Sequence, residues 1–213
     1  MFRLLLIVFL LSGCAATENK PLTISNKEAL GKIGVISTIG DDLLCKYIGF
    51  TIFNNKENNY KIPNKFNEVL TTKITEKLSN LNFVVEPLNS DLVTYKKDEK
   101  GASSFKNIKF NESVIAAKSI DTLVIYDGSL RYNSTGGYYA RENALNTFAG
   151  LYVYSLSSKK LIGVSSMYKT DLKRKFSCEL DSLSPTSDMF NLIEKSGLEI
   201  QKELVNNVFV IAK

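Results

Sequence analysis

Histidine and tryptophan are both absent from this sequence of 213 residues. Histidine is the commonest general base near neutral pH and a frequent zinc ligand, so its absence excludes Ser-His-Asp sites, Cys-His sites and the usual zinc centres. The glycines form no GxxxxGK(S/T) phosphate-binding loop, and the Gly136-Gly137 pair is predicted to be a turn. We therefore expect no catalytic residue, no cofactor and no metal.

Two neighbouring carboxylates, Asp41 and Asp42, are the remaining candidates for chemistry. Paired carboxylates can hold a hard cation or act as acid and base, but aspartate after Gly40 is also typical of a turn. We favour the turn and keep a carboxylate-based, metal-assisted hydrolase as an alternative. In the same way, Asp127-Gly128 is interpreted as a kink in a strand.

The charge is only mildly basic, with 27 Lys and Arg against 22 Asp and Glu, and the two signs are interleaved. This balance is too weak to indicate a nucleic-acid partner, although it is compatible with attraction to anionic lipid headgroups or cell-wall polymers. A basic cluster fits contact with lipid headgroups or an acidic partner, or a charged loop that resists aggregation. Its members are Lys169, Lys173, Arg174 and Lys175.

The chain begins with a short apolar run, residues 4–11, which is far below the roughly 20 residues that a membrane span needs. Arg3 precedes the run and small residues follow it, which is the layout of a secretory signal. The stretch Leu11-Ser12-Gly13-Cys14 resembles the lipobox of bacterial lipoproteins. The resemblance implies removal of residues 1–13 and attachment of acyl chains such as palmitate to Cys14. The polar stretch that follows lacks clear periodicity and predicts a flexible linker over residues 14–30. Ala15 after the cysteine implies the outer membrane, with the protein facing the periplasm.

Two further cysteines, Cys45 and Cys178, remain once Cys14 is lipidated. Disulfides persist in exported proteins, and a Cys45–Cys178 bridge would contribute about 4–5 kcal/mol in the chain-entropy model. The alternative is two separate buried thiols, and the sequence leaves both open.

Residues 31–213 are predicted to form a single α/β domain, a mixed β-sheet with helices packed on it in the order ββαβαβββα. The first two strands are expected to form a hairpin around Gly40, and the last three strands a meander. Apolar residues recur at helical spacing after Asn64, the predicted N-cap, and again from about Ser187 to Val208. Asn111 is predicted to cap a short helix between these two, and Gly197 is expected to pack closely on the sheet.

The stretches FNEVLTTKITEKLSNLNFVVEPL and ESVIAAKSIDTLVIYDGSL resemble a known periplasmic α/β domain. That domain is shared by the curli-secretion lipoprotein, lipoprotein activators of penicillin-binding proteins and the N-terminal part of the Tol translocation protein. The strand YIGFTIFNN departs from this pattern and is more similar to an uncharacterised group of exported bacterial proteins. No pair of long alternating strands of the curli-pore type is present.

Tyrosines concentrate on the last three predicted strands and in the first loop between them. Tyrosine offers an aromatic face and a hydroxyl group, which suits sugar or protein surfaces, but it is also common in half-buried strands. Tyr138, Tyr139 and Arg141 are the predicted partner-binding patch. The sequence thus favours a non-enzymatic, membrane-anchored accessory protein that binds an envelope protein or cell-wall polymer. The hydrolase and an oligomeric secretion component are the alternatives.

Overall fold

The computed structural model describes residues 20–23, 27–49, 55–63, 65–95, 108–135, 143–172 and 188–210. Three α-helices pack against a mixed sheet of seven strands, which confirms the predicted α/β class. The strands are β1 (Leu22–Thr23), β2 (Ile33–Ser37), β3 (Asp42–Ile48), β4 (Lys56–Lys61), β5 (Val85–Pro87), β6 (Val93–Tyr95), β7 (Ile108–Phe110), β8 (Thr122–Thr135), β9 (Ala144–Ser155), β10 (Lys160–Leu172) and β11 (Phe209–Val210). The helices are α1 (Phe66–Asn80), α2 (Glu112–Ala117) and α3 (Asp188–Val208).

The long strand β8 organises the sheet. Its first half pairs in parallel with β2, and its second half pairs in parallel with β3. The predicted hairpin of the first two strands is therefore wrong, because β2 and β3 follow one another along the same side of β8. Between them the backbone stays attached to β8 through Thr38 N–H, which donates to the Tyr126 carbonyl at 2.8 Å. Gly40 takes φ +83°, and the chain steps past Asp127 instead of folding back.

The remaining strands extend the sheet in both directions. β8, β9 and β10 form the predicted antiparallel meander. On the other side, β5 pairs in parallel with β2, so the order runs β10-β9-β8-β2-β5, and β4 pairs with β3. The predicted element order lacks β4, the small β6-β7 pair and the short strands β1 and β11.

Helices cover the two faces of the sheet unequally. α1 and α3 bury Leu70, Ile74 and Leu204 on one face, against side chains such as Val35 and Val124. The other face has a smaller buried cluster, in which Ile115 of α2 packs with residues of β2 and β8. Its members from these two strands are Ile36, Leu123 and Ile125. The capping of α2 by Asn111 is confirmed, since its side chain accepts from Val114 N–H.

Gly197 allows α3 to approach α1. A Cβ atom at this position would lie 2.7 Å from Cζ of Phe66, the first residue of α1. The close packing expected at Gly197 is therefore directed at the neighbouring helix. The Tyr126 hydroxyl of β8 also reaches this point and donates to the Gly197 carbonyl at 3.4 Å.

Part of the segment that was expected to be a linker is bonded to the domain. Leu22 and Thr23 pair in parallel with β11, Lys20 exchanges backbone hydrogen bonds with Val164, and Leu30 is buried. Among the described helices, none combines the length and the hydrophobicity that crossing a membrane requires.

Candidate binding surface

Asp41, one of the two candidate acids, serves the start of α1. The residue before the helix is Lys65, which has φ 50° and makes no side-chain cap, whereas Asn64 was predicted for this position. Asn64 lies outside the described residues. The carboxylate of Asp41 accepts from Asn67 N–H at 2.8 Å and so satisfies a free amide of the first turn.

Asp42, the second candidate acid, forms an ion pair with Lys61 of the adjacent strand at 2.6 Å. The hydrogen bond from Lys61 to Asp42 raises the pKa of the Lys61 ammonium, and the negative charge of Asp42 adds to this effect. Each acid therefore has a structural partner. Within the described ranges, no three Asp, Glu or Cys side chains cluster as metal ligands would.

The end of β2 is closed by the protein's own polar groups. Ligands of open α/β sheets commonly bind beyond the carboxyl ends of parallel strands. Here the Asn67 side chain donates to the Ser37 carbonyl at 2.8 Å, and Thr71 Oγ1 accepts from Ser37 N–H at 3.1 Å. The Thr38 hydroxyl donates to Asp127, which is only 2% exposed. β8 pairs with β9 through Asp127 and Gly128 without a register shift, so the expected kink is not seen, and the Asp127 carboxylate is used inside the fold.

The tyrosines have very different environments. Tyr126 and Tyr132 are fully buried, and burial strongly raises the pKa of the Tyr126 hydroxyl. Tyr152 and Tyr154 are half-buried beside the smaller cluster under α2. Burial, followed by the charge of Asp127, raises the pKa of Tyr152. Tyr168 differs from all of these, because 64% of it is exposed.

The predicted patch of Tyr138, Tyr139 and Arg141 lies outside the described residues, as do Cys14 and Cys178. By sequence, the patch belongs to the connection between β8 and β9. Tyr168 lies on β10, which pairs with β9.

Tyr168 lies on a part of the sheet that we call the open face. It is the continuation, beyond Asp127, of the face that α2 covers, and its described side chains join no buried cluster. Strand register places Phe148 directly opposite Tyr168, and Asn146 between Arg131 and Thr170. The open face also includes Leu44 and Lys46 of β3, and Glu57 and Asn59 of β4.

Hydrogen bonds fix the orientation of the Tyr168 ring. Its hydroxyl donates to Asn146 Oδ1 at 2.5 Å, although Asn146 is opposite Thr170 in the register. The ring must therefore lean along the strand, across the face, to reach its acceptor. Thr170 donates to the same oxygen at 3.0 Å and holds the Asn146 side chain. The result is an exposed aromatic ring that is hydrogen-bonded to the neighbouring strand.

Lys169, the member of the predicted basic cluster that the structure describes, points to the opposite face. Its ammonium forms ion pairs with Asp171 and with Glu199 of α3. Burial opposes the charge, but the hydrogen bonds to Glu199 and Asp171 prevail and raise the pKa of Lys169. Lys169 therefore contributes to the contact between β10 and α3. Lys173, Arg174 and Lys175 lie outside the described residues.

Cys45 is fully buried in β3 and is disulfide-bonded. Its partner lies outside the described residues. The sequence has three cysteines, so the partner is either Cys14 or Cys178.

Comparison with known proteins gives distant structural likenesses. No family model matches the chain, and no curated protein matches it. A variant of the PelC dodecamer from Paraburkholderia phytofirmans is 7% identical, with 90% of this chain and 93% of that chain covered and a TM-score of 0.42. Protein XCC0632 from Xanthomonas campestris, of the DUF330 family model, is 10% identical, with 82% of this chain and 80% of that chain covered and a TM-score of 0.44. Lipoprotein GNA1162 from Neisseria meningitidis is 10% identical, with 79% of this chain and 95% of that chain covered and a TM-score of 0.37. Likenesses at this level transfer no function to the chain.

Proposed function

We propose that this protein is a lipid-anchored, non-enzymatic component of the bacterial envelope, and that its open face binds a polysaccharide chain. The observation that carries the proposal is Tyr168, an aromatic ring that is 64% exposed and yet held in place by Asn146. A ring that is already oriented loses little conformational entropy on binding, so more of the contact energy appears as affinity.

The chemistry of the open face favours a sugar over a protein. The negative face of an aromatic ring attracts the C–H groups of a sugar ring, while amides and hydroxyls bind the sugar hydroxyls. By strand register, the side chains of Ser129, Asn146 and Thr170 lie next to Tyr168 or Phe148, and those of Asn133 and Asn59 lie further away on the same face. A stable protein interface instead needs a contiguous apolar centre, and here polar groups separate the aromatic pair from Leu44.

The charge of the open face restricts the polymer. Arg131 and Lys46 provide two positive charges, and Glu57, opposite Lys46, provides one negative charge. Guanidinium and ammonium groups bind carboxylate and phosphate, so these two side chains suit a polysaccharide that carries such groups. We therefore expect an acidic polysaccharide to bind more tightly than a neutral one of the same length, with a preference that salt weakens.

The anchor is proposed from the lipobox at Cys14. Six residue steps separate Cys14 from Lys20, the first described residue, and such a segment spans at most about 20 Å. The domain would therefore remain close to the membrane surface. The disulfide at Cys45 supports an exported location, because disulfides persist outside the cytosol. By the resemblance at Ala15, we assign the periplasmic side of the outer membrane.

Affinity electrophoresis of the detergent-solubilised full chain, in gels with an acidic or a neutral polysaccharide, tests the binding proposal. We expect the acidic polymer to retard the wild type, and Tyr168→Ala to weaken binding at least fivefold, about 1 kcal/mol. Tyr168→Phe keeps the ring and should lose less. Val84→Ser, at an exposed apolar position next to β5, is the control and should leave binding unchanged.

Three results would contradict the binding proposal: no retardation by either polymer, equal retardation of Tyr168→Ala, or capture of an envelope protein alone through Tyr168. The double variant Tyr138→Ala/Tyr139→Ala tests whether the predicted patch extends the surface. Weaker retardation of this variant would indicate that the β8–β9 connection belongs to the binding site. Unchanged retardation would indicate that the binding site is limited to the open face.

Mass spectrometry of the N-terminal peptide tests the anchor separately. We expect a chain that begins at Cys14 and carries acyl groups, in the outer-membrane fraction. An unmodified Cys14, or a chain that retains residues 1–13, would contradict the lipoprotein assignment.

A further inference from the structure

A cleft of about 510 Å³ opens between α1, α2 and the segment that follows β5. Its volume lies within the roughly 300–1,000 Å³ that is typical of small-molecule sites. β9, β8 and β2 separate β5 from β10, so this cleft is distinct from the open face around Tyr168.

The topology favours a ligand at this position. β5, β2 and β8 are adjacent parallel strands, and α1 and α2 lie on opposite faces of them. In open α/β sheets this change of side leaves a crevice beyond the carboxyl ends of the strands, where ligands bind. Asp41 and Asn67 fill the crevice beyond β2. The cleft begins at Pro87, the last residue of β5, and occupies the part that remains open.

The walls of the cleft combine polar and apolar groups. Thr72, Asn89, Ser90 and Asp91 line it, and in the described part of the chain their side chains have no hydrogen-bond or ion-pair partner. Leu92 and Val114 supply apolar surface, with Val114 37% exposed. Polar groups that converge on a cleft without partners of their own are available to a ligand.

Of the described residues that line the cleft, Glu68, Asp91 and Lys118 carry charge, and Glu68 and Lys118 have ion-pair partners. The ammonium of Lys118 contacts Glu86 at 2.6 Å, and this contact, together with Lys32, lowers the pKa of Glu86. Glu68 contacts Lys65 at 3.1 Å. Asp91 is left as the charge without a counterpart among the described residues that line the cleft.

We propose that this cleft binds the primary ammonium group of a small, polar molecule. Asp91 pairs with the ammonium, while Thr72, Ser90 and Asn89 bind hydroxyl or amide groups of the ligand. Leu92 and Val114 cover its carbon atoms. An amino sugar and the N-terminus of a short peptide both present this chemistry, and the experiment below separates them.

Isothermal titration of the full chain with four probes tests this proposal. The probes are glucosamine, N-acetylglucosamine, Ala-Ala-amide and its N-acetylated form. We expect at least one amine to bind and its acetylated counterpart to bind at least threefold more weakly, because acetylation removes the charge that Asp91 recognises. Binding of glucosamine alone indicates an amino sugar, binding of the dipeptide alone indicates a peptide, and binding of both indicates that the ammonium dominates recognition.

Variants then test whether the amine binds in the cleft. Asp91→Asn should weaken the bound amine about threefold to fivefold, the range of an exposed ion pair. Glu203→Gln, which removes one exposed charge from α3, should not change it, and Tyr168→Ala should not either. Asp91 is exposed, so Asp91→Asn should unfold at the same temperature as the wild type. No amine binding at millimolar concentration, equal binding of the acetylated probes, or unchanged binding by Asp91→Asn would overturn the proposal. Tyr168 belongs to the open face and does not line the cleft. Failure of polysaccharide binding at the open face would therefore leave the test of amine binding in the cleft unaffected.

Discussion

At the scale of single residues, Asp41 shows how a side chain with an apparent chemical role is used by the fold. From the sequence, Asp41 is predicted to belong either to a turn after Gly40 or to a carboxylate pair with Asp42. In the structure, the Asp41 carboxylate accepts a hydrogen bond from Asn67 N–H in the first turn of α1, which follows β3 and β4 along the chain. The cap that a helix normally obtains from the preceding residue comes here from a distant loop, because Lys65 has no acceptor in its side chain.

The capping role of Asp41 makes a direct prediction. Asp41→Ala should lower the free energy of unfolding by about 1 kcal/mol, whereas Asp41→Asn, which keeps an acceptor, should lower it by less than half of that. Urea unfolding monitored by circular dichroism measures both. Asp42→Ala is the matched control, and we expect a smaller effect because an exposed ion pair contributes little. A larger loss for Asp42→Ala than for Asp41→Ala would contradict the capping role.

At the scale of elements, α1 and α3 touch at the pair of Gly197 and Phe66. Gly197→Ala should destabilise the wild type by about 1–2 kcal/mol, because its Cβ would overlap the Phe66 ring. In a Phe66→Leu background the overlap is relieved, and the same change should become neutral or stabilising by up to about 1 kcal/mol, since alanine favours helix over glycine.

Urea unfolding of the four proteins of this double-mutant cycle provides the measurement. Phe83→Leu is the control background, because Phe83 is also buried but is absent from the contacts of Gly197. There, Gly197→Ala should remain destabilising. Equal effects of Gly197→Ala in all three backgrounds would show that the two helices do not approach each other at this pair.

The elements also show which parts of the fold sequence reasoning can reach. β8, β9 and β10 were predictable, because their β-branched and aromatic residues alternate and short polar turns separate two of them. β4 was missed because Tyr60 is its one buried side chain and its pattern is polar. The step at Gly40 was read as a hairpin turn, since a local glycine signal does not reveal whether the chain folds back or continues beside β8.

The candidate surface was predictable only in part, for a related reason. Tyr126, Tyr132 and Tyr168 all lie in strands of similar composition, and each can point to either face. Burial of the first two depends on α1 and α3, which pack on that face from distant parts of the chain. The pinning of Tyr168 by Asn146 depends on the register between β9 and β10. Neither fact is encoded in the residues next to a tyrosine.

At the scale of the whole molecule, the disulfide of Cys45 connects a buried strand to a distant segment. If Cys14 carries lipid, Cys178 is the partner. The bridge then closes a loop of 133 positions (178 − 45). The chain-entropy model assigns about 5 kcal/mol to a loop of this length.

We therefore predict that Cys178→Ser lowers the free energy of unfolding by up to about 5 kcal/mol, that Cys45→Ser lowers it further because its hydroxyl is buried in the core, and that the double variant loses no more than Cys45→Ser alone. Urea unfolding under oxidising conditions measures this, and a reducing agent should abolish the difference between Cys178→Ser and the wild type. A non-reducing peptide map identifies the partner directly. A link from Cys45 to Cys14 would contradict both this pairing and the lipid anchor.

The shared use of β8 by β2 and β3 has a consequence for the order in which the protein folds. Ile33 and its partner Thr122 are separated by 89 positions (122 − 33) along the chain. The first two strands of the main sheet therefore have no β8 partner until more than half of the chain has been synthesised, and pairing over such separations is slow. A nascent chain that acquires its central strand late stays unfolded for longer, which is the state in which most chains are threaded across a membrane.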